Sequence, residues 1–412
     1  MTISRRGLLG TAATAAAAAT LPALPARAAT PTLKIGVLND MSGPYRDTGG
    51  LTSVICTKQA LIDFGVSAKG MKVEVVSADH HNKPDVGAGI ARQWFDRDGV
   101  DVIVDVPTSD VALAVANVCR EKNKVMLNSG AATTALTAQQ CMPTTVHWTY
   151  DTYMLAKSTG GAMVKAGGTT WFFITADYVF GHLLQDQTTM FVKKFGGKVL
   201  GSVRYPFPGT SDFSSFLVQA QASGAKVLGL ANAGLDTVNS IKQAHEFGLT
   251  KSGMRIAGLL VFLSDVHGMG LKIAQGLVLT ESFYWDLNDR TRAFTNRVKP
   301  KTPNNWPNMD HAGCYAATLH YLKAAHAMGV ANAKKSGADA VAQMKKMPTD
   351  DDAFGKQTIR ADGRFMCPSF LFQVKSPSES KGPFDYYKLL QTTPADQAFM
   401  PLSEEGCKLV KS

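Results

Sequence analysis

With 412 residues, 45% of them hydrophobic and 18% charged, the chain is long and apolar enough to bury more than one core. Its formal net charge is +10, but the bases are scattered in ones and twos (Lys193-Lys194, Lys334-Lys335, Lys345-Lys346) rather than in the clustered, aromatic-interleaved stripe of a nucleic-acid groove. No nucleic-acid partner is expected, and the paired lysines read as solvated faces.

The first 28 residues run from Arg5-Arg6 through an Ala/Thr/Leu stretch to Pro25-Ala26-Arg27-Ala28, the charged, apolar, small-residue order of an export signal. The paired arginines indicate the twin-arginine route. The apolar run is about 15 residues, short of the roughly 20 that a spanning helix needs, so cleavage after Ala28 and a periplasmic mature protein are expected. From residue 33 short apolar runs alternate with longer amphipathic ones: strands over 33–38, 71–77, 100–106 and 124–128, helices near 49–65, 84–98 and 109–121. This alternation predicts a parallel sheet covered on both faces. After a Thr-rich loop over 129–145 the pattern restarts, with strands over 170–175, 198–205, 226–231, 254–260 and 276–280. Residues 289–347 read as almost wholly helical, and short strands follow over 370–374 and 386–390. The predicted fold is α/β: two doubly wound parallel-sheet lobes joined by a hinge. Lobe 1 takes residues 29–147 and 285–347, and lobe 2 takes 148–284 and 348–412.

Six cysteines lack any C-x-x-C spacing. Cys56, Cys119 and Cys314 lie in helical patterns and read as buried thiols, whereas Cys141, Cys367 and Cys407 stand in turns and are the disulfide candidates. Cys141 with Cys407 is the favoured pairing. No strand-to-helix junction carries G-x-G-x-x-G or G-x-x-x-x-G-K-[ST], and there is no G-x-S-x-G elbow. His80-His81 would point to opposite sides of a strand end; His311, His320 and His326 share no metal-binding face; Asp350-Asp351-Asp352 reads as a solvated turn. Neither a catalytic residue, nor a metal ligand, nor a cofactor is expected.

In an open parallel sheet, ligands bind beyond the carboxyl ends of the strands. There the chain offers Thr108-Ser109 and Ser129-Gly130-Ala131-Ala132-Thr133, hydroxyls and backbone N–H groups suited to an anion, although Ser109 would equally serve as a helix cap. Together with Ser42-Gly43-Pro44 and Asp177-Tyr178-Val179-Phe180-Gly181, these runs occur in an order that resembles the leucine/isoleucine/valine-binding proteins. Those are type I periplasmic receptors of ABC transporters for branched-chain amino acids, amides and related carboxylates, and the likeness covers nearly the whole mature chain. It implies two lobes on three hinge strands closing over a small-molecule ligand. Thr108, Ser109, Ala131 and Thr133, with Ser129 beside them, would hold a carboxylate, and Phe180 would wall the pocket from lobe 2. Tyr45, Phe262 and Trp285 are further candidates by loop position, with core packing the alternative for Trp285.

Two departures bear on the ligand. Typical members place a Glu for the amino acid's ammonium where this chain has Leu260, and an unpaired buried ammonium costs several kcal/mol. Asp236, or Asp265, would have to substitute. Thr48 stands where the family has an aromatic, leaving room for a bulkier ligand. The expected ligand is a carboxylate without an ammonium, packed against aromatic side chains. The resemblance also implies an inner-membrane ABC permease as partner and a monomeric receptor; a periplasmic sensor signalling to a membrane receptor is the alternative.

Overall fold

The computed structural model describes residues 31–410, so the expected export signal lies outside the described residues. Among the described residues no helix is long and apolar enough to cross a membrane. The first sheet is built from β1 (Thr32–Asn39), β2 (Lys72–Asp79), β3 (Val102–Asp105), β4 (Val125–Asn128) and β5 (Thr145–His147), all parallel in the order β2-β1-β3-β4-β5. Every residue of β3 and β4 is buried, as continuous apolar runs covered by helices on both faces require. The helices Asp289–Val298 and Met309–Met328 pack on Gly50–Phe64 in this lobe, and Met309–Met328 is buried along most of its length.

The second sheet begins with β6 (Thr170–Ala176), β7 (Lys198–Tyr205), β8 (Val227–Ala231), β9 (Arg255–Gly258) and β10 (Val278–Glu281), again parallel. A small antiparallel sheet follows, of β11 (Thr349–Asp351), β12 (Gly355–Ile359) and β13 (Phe365–Met366). Then β14 (Ser369–Val374) and β15 (Tyr387–Thr393) add to β10 as an antiparallel pair, giving the order β15-β14-β10-β9-β8-β6-β7.

Three expectations need correction. The second sheet is mixed, because β14, which enters from the third crossing, runs antiparallel to β10 and β15 returns from it by a hairpin. Residues 349–366, assigned to lobe 2 from the sequence, pack against the helices Met309–Met328 and Gly337–Lys346, and Arg364 pairs with His147 at the edge of the first sheet. The Asp350–Asp352 run is an ion-pair node: Asp350 and Asp352 both bind Arg290, Asp352 also binds Arg297, and buried Asp351 accepts the Ala353 and Phe354 N–H groups.

The chain crosses between sheets near residues 148–151, 282–288 and 366–368. Arg364, fully buried beside the first and third crossings, donates to the carbonyls of Thr149 (2.9 Å) and Phe365 (3.1 Å) and lies 3.6 Å from the carboxylate of Asp151. The C-terminal tail seals this region: Phe399 lies under the Arg364 guanidinium at 4.5 Å, and Cys407 is disulfide-bonded to Cys141 with a Cα–Cα distance of 5.7 Å. Cys56, Cys119, Cys314 and Cys367 are free and buried.

Candidate functional site

The carboxyl ends of the two sheets face each other across a narrow cavity, with free space of only about 10 Å³. Tyr45, Thr48, Pro107, Gly130, Ala132 and Tyr150 line it from the first lobe, and Tyr178, Phe180, Ala233, Leu260 and Phe262 from the second. No lining residue carries a charge. The wall is instead made of helix beginnings: Thr48 and Pro107 stand just ahead of the helices Gly50–Phe64 and Ser109–Glu121, while Tyr178, Ala233 and Phe262 are the N-caps of Val179–Lys194, Gly234–Glu246 and Leu263–Met269. Gly49, Thr108, Tyr178 and Ala233 give their helices no side-chain cap. The positive ends of these helix dipoles therefore point towards one small volume, with the Leu235 N–H already taken by the Pro44 carbonyl and the Val179 N–H by the Asp110 carboxylate.

Local chemistry explains how the wall is held. The Asp40 carboxylate accepts from the N–H groups of Ser42 (3.2 Å), Gly43 (2.6 Å) and Tyr45 (2.8 Å) and from Asn82 Nδ2 (2.7 Å), fixing the turn that carries Tyr45. The Tyr45 hydroxyl meets that of Tyr178 at 2.5 Å across the cleft. Phe207 stacks on both rings, at 5.4 Å from Tyr45 and 4.4 Å from Tyr178. Tyr150, in the first hinge crossing, donates to the Gly130 carbonyl at 2.5 Å and meets Phe262 edge-on. Pro107 is thrown into the cleft by two consecutive positive-φ residues, Asp105 (85°) and Val106 (61°). Such a conformation is costly for a β-branched residue and typical of sites where packing overrides local preference.

Beneath this floor Asp105, Asp310 and Cys314 place their polar atoms within 4.8 Å of one another, all buried. Burial and then the neighbouring Asp105 charge hold Asp310 protonated well above the usual carboxylate range, and it hydrogen-bonds to Asp105. Asn39 Nδ2 donates to the same Asp105 carboxylate at 2.8 Å.

Of the residues singled out in the sequence, Tyr45, Phe180, Phe262, Thr48 and Leu260 stand on the cavity wall. Thr108, Ser109, Ser129, Ala131 and Thr133 stand one layer behind it. Thr108 donates its hydroxyl to Asn82 Oδ1, Ala131 and Asn128 bond each other's amide groups, and Thr133 Oγ1 accepts from Ala135 N–H at 3.2 Å. The buried hydroxyls of Ser109 and Ser129 have no partner among the described residues. Asp236 lies behind the tyrosines, accepts the Tyr205 hydroxyl at 2.8 Å, and is pushed up to about 7 by burial, partly offset by that bond. Asp265, raised to about 7 by burial, accepts the Phe262 N–H at 2.9 Å. Trp285 is packing: its Nε1 donates to the Phe384 carbonyl and its ring meets Trp306. His311 and His320 bond the carbonyls of Gly49 and Met344. The sequence reading missed Tyr150, Tyr178 and Phe207. Tyr178 was within reach, since it occupies the N-cap position of a recognisable run.

Two α/β lobes whose strand ends meet over a shared cavity, with the chain crossing between them three times, define a cleft-closing receptor for a small molecule. This chain belongs to the periplasmic binding protein family, whose model matches residues 32–383. Similar solved structures include a periplasmic binding protein from Burkholderia mallei, 49% identical with a TM-score of 0.87, covering 92% of this chain and 99% of that one. A branched-chain amino acid ABC transporter periplasmic ligand-binding protein from Burkholderia xenovorans LB400 is 38% identical, with a TM-score of 0.79 over 92% of this chain and 99% of that one. A Rhodopseudomonas palustris solute-binding protein of an ABC transporter, solved with benzoate, shares the fold at 19% identity and a TM-score of 0.80 over 92% of this chain and all of that one. Among curated proteins none matches the chain significantly.

Proposed function

We propose that this protein is the extracytoplasmic solute receptor of an ABC importer and that it closes on a small organic carboxylate, preferring aromatic acids to α-amino acids. The observation that carries this reading is the cavity wall, made of helix N-termini and tyrosine hydroxyls without a charged side chain. Helix N-termini pointing towards one volume favour an anion, and nothing on the wall would neutralise an ammonium. Leu260 fills the position from which a carboxylate would do so. Tyr45, Tyr178, Phe180 and Phe262 supply the faces for a ring, and the unpartnered Ser109 hydroxyl is a reserve donor behind Pro107. Importer context is supported by the 38%-identical transporter receptor, and the fold accommodates a benzoate in its distant relative. In this reading the Arg5-Arg6 signal sends a monomeric protein to the periplasm, where it docks on an inner-membrane permease.

The test is calorimetry on the mature protein, stripped of bound small molecules by unfolding and refolding, with benzoate, 4-hydroxybenzoate, leucine and an aliphatic amide. Heat of binding with the aromatic acids and none with leucine is expected. Leucine binding as tightly as benzoate would overturn the ligand preference.

A further inference from the structure

Two backbone segments from opposite lobes meet at the edge of the cleft. The Pro44 carbonyl accepts the N–H of Leu235 at 3.0 Å. Leu235 lies in the first turn of Gly234–Glu246, so its N–H has no acceptor within the helix, and the N-cap Ala233 offers no side-chain oxygen. A first-lobe carbonyl thus caps a second-lobe helix. Both partners are prepared for the contact. Pro44 sits in the turn that Asp40 fixes through three N–H groups. Gly234 has φ +58°, and a Cβ on it would stand 2.4 Å from the Pro44 oxygen and 2.9 Å from Tyr45 Cδ1. Any side chain at 234 collides with the opposite lobe.

We propose that Gly234 is the positioning residue of a backbone latch: its missing side chain lets Pro44 cap the helix Gly234–Glu246 when the cleft is shut. The latch stabilises the closed form independently of any solute contact, so that a closed population exists before ligand arrives. This rests on the reading that the protein closes on a solute, because the latch joins the two lobes that close. It differs from the tyrosine contact beside it, which lies on the cavity wall and which a ligand can rearrange. Main-chain capping responds only to lobe separation.

Gly248, just past the other end of the same helix, provides the control. It has φ +71° and nothing within 4 Å of a Cβ, so Gly248→Ala carries the left-handed backbone penalty without touching the other lobe. Spin labels on Asp85→Cys and Ser211→Cys, exposed positions on the two lobes, would report lobe separation by pulsed electron resonance. The four free cysteines are buried and escape labelling. Distances are measured without ligand and with millimolar benzoate. Wild type and Gly248→Ala are expected to show a short-distance population that benzoate enlarges. Gly234→Ala should lose it without benzoate and need about tenfold more benzoate to regain it. A Gly234→Ala distribution matching that of Gly248→Ala overturns the latch, as does a wild type that is open in both conditions. If benzoate moves nothing while Gly234→Ala still loses the short population, the latch stands and the aromatic-acid reading falls. Should Gly234→Ala not fold, Asp40→Ala, which frees the Pro44 turn, is expected to show the same loss, and a wild-type distribution there overturns the proposal.

Discussion

Leu260 and Asp236 set the charge that the cleft tolerates. Leu260 is buried on the wall, and Leu260→Glu would place a carboxylate among helix N-termini that otherwise favour an anionic ligand. That variant is expected to bind benzoate at least tenfold more weakly, a loss of about 1.4 kcal/mol or more, and to gain measurable affinity for leucine by calorimetry. Asp236 gives the site a pH dependence. Its folded pKa of about 7 lies above the ordinary 3.8, so the folded protein holds this proton more tightly than the unfolded chain. Its contribution to stability is complete below the ordinary carboxylate range and is lost as pH rises to about 7. Above that, a second negative charge sits behind the tyrosines. Benzoate affinity should therefore fall between pH 6 and pH 8, by at most about tenfold per pH unit, and Asp236→Asn should flatten the profile. Tyr45 and Phe262 were legible at this scale from loop position after a strand, and Phe180, Thr48 and Leu260 through the resemblance to the family. Thr108 and Thr133 were read as ligand contacts because a hydroxyl at a helix start looks the same whether it faces a ligand or its neighbours. In the structure the Thr108 hydroxyl donates to Asn82 and Thr133 Oγ1 accepts the Ala135 N–H.

At the scale of elements, the Asp105–Asp310 pair joins the end of β3 to the start of Met309–Met328 directly beneath the cleft floor. Two buried carboxyls this close keep a proton between them, and each unit by which their pKa is raised costs about 1.4 kcal/mol of stability once solvent pH exceeds it. Asp310→Asn keeps a donor for Asp105 without an acidic proton. It should raise the unfolding midpoint at pH 8 more than at pH 5, as calorimetric scans at the two pH values would show. An equal shift at both would mean that the pair does not titrate in this range. The pair was invisible in sequence, since its members are 205 positions apart and each reads alone as an ordinary strand-end or helix-start acid. The long βα alternation, by contrast, was legible through most of the chain. What escaped was short or polar: β5 has three residues, two of them Thr or His, and β11 contains two aspartates. Neither carries the apolar period that marks a strand: β5 is buried whole but is only three residues long, and β11 is held by pairing with β12.

At the scale of the whole molecule, closure couples ligand to stability. A ligand at a hundred times its dissociation constant adds about 2.7 kcal/mol to the folded state, which a thermal scan resolves as a higher midpoint. Aromatic acids should give that rise and leucine should not. The disulfide that ties Cys141 to Cys407 adds a different whole-chain property. It makes most of the polypeptide a covalent ring, with 266 positions separating the two sulfurs along the chain. A single protease cut inside that ring, for instance at exposed Lys381 in the β14–β15 turn, opens the ring without dividing the molecule. The nicked protein should migrate as one species on a denaturing gel without thiol and as two fragments once the bond is reduced.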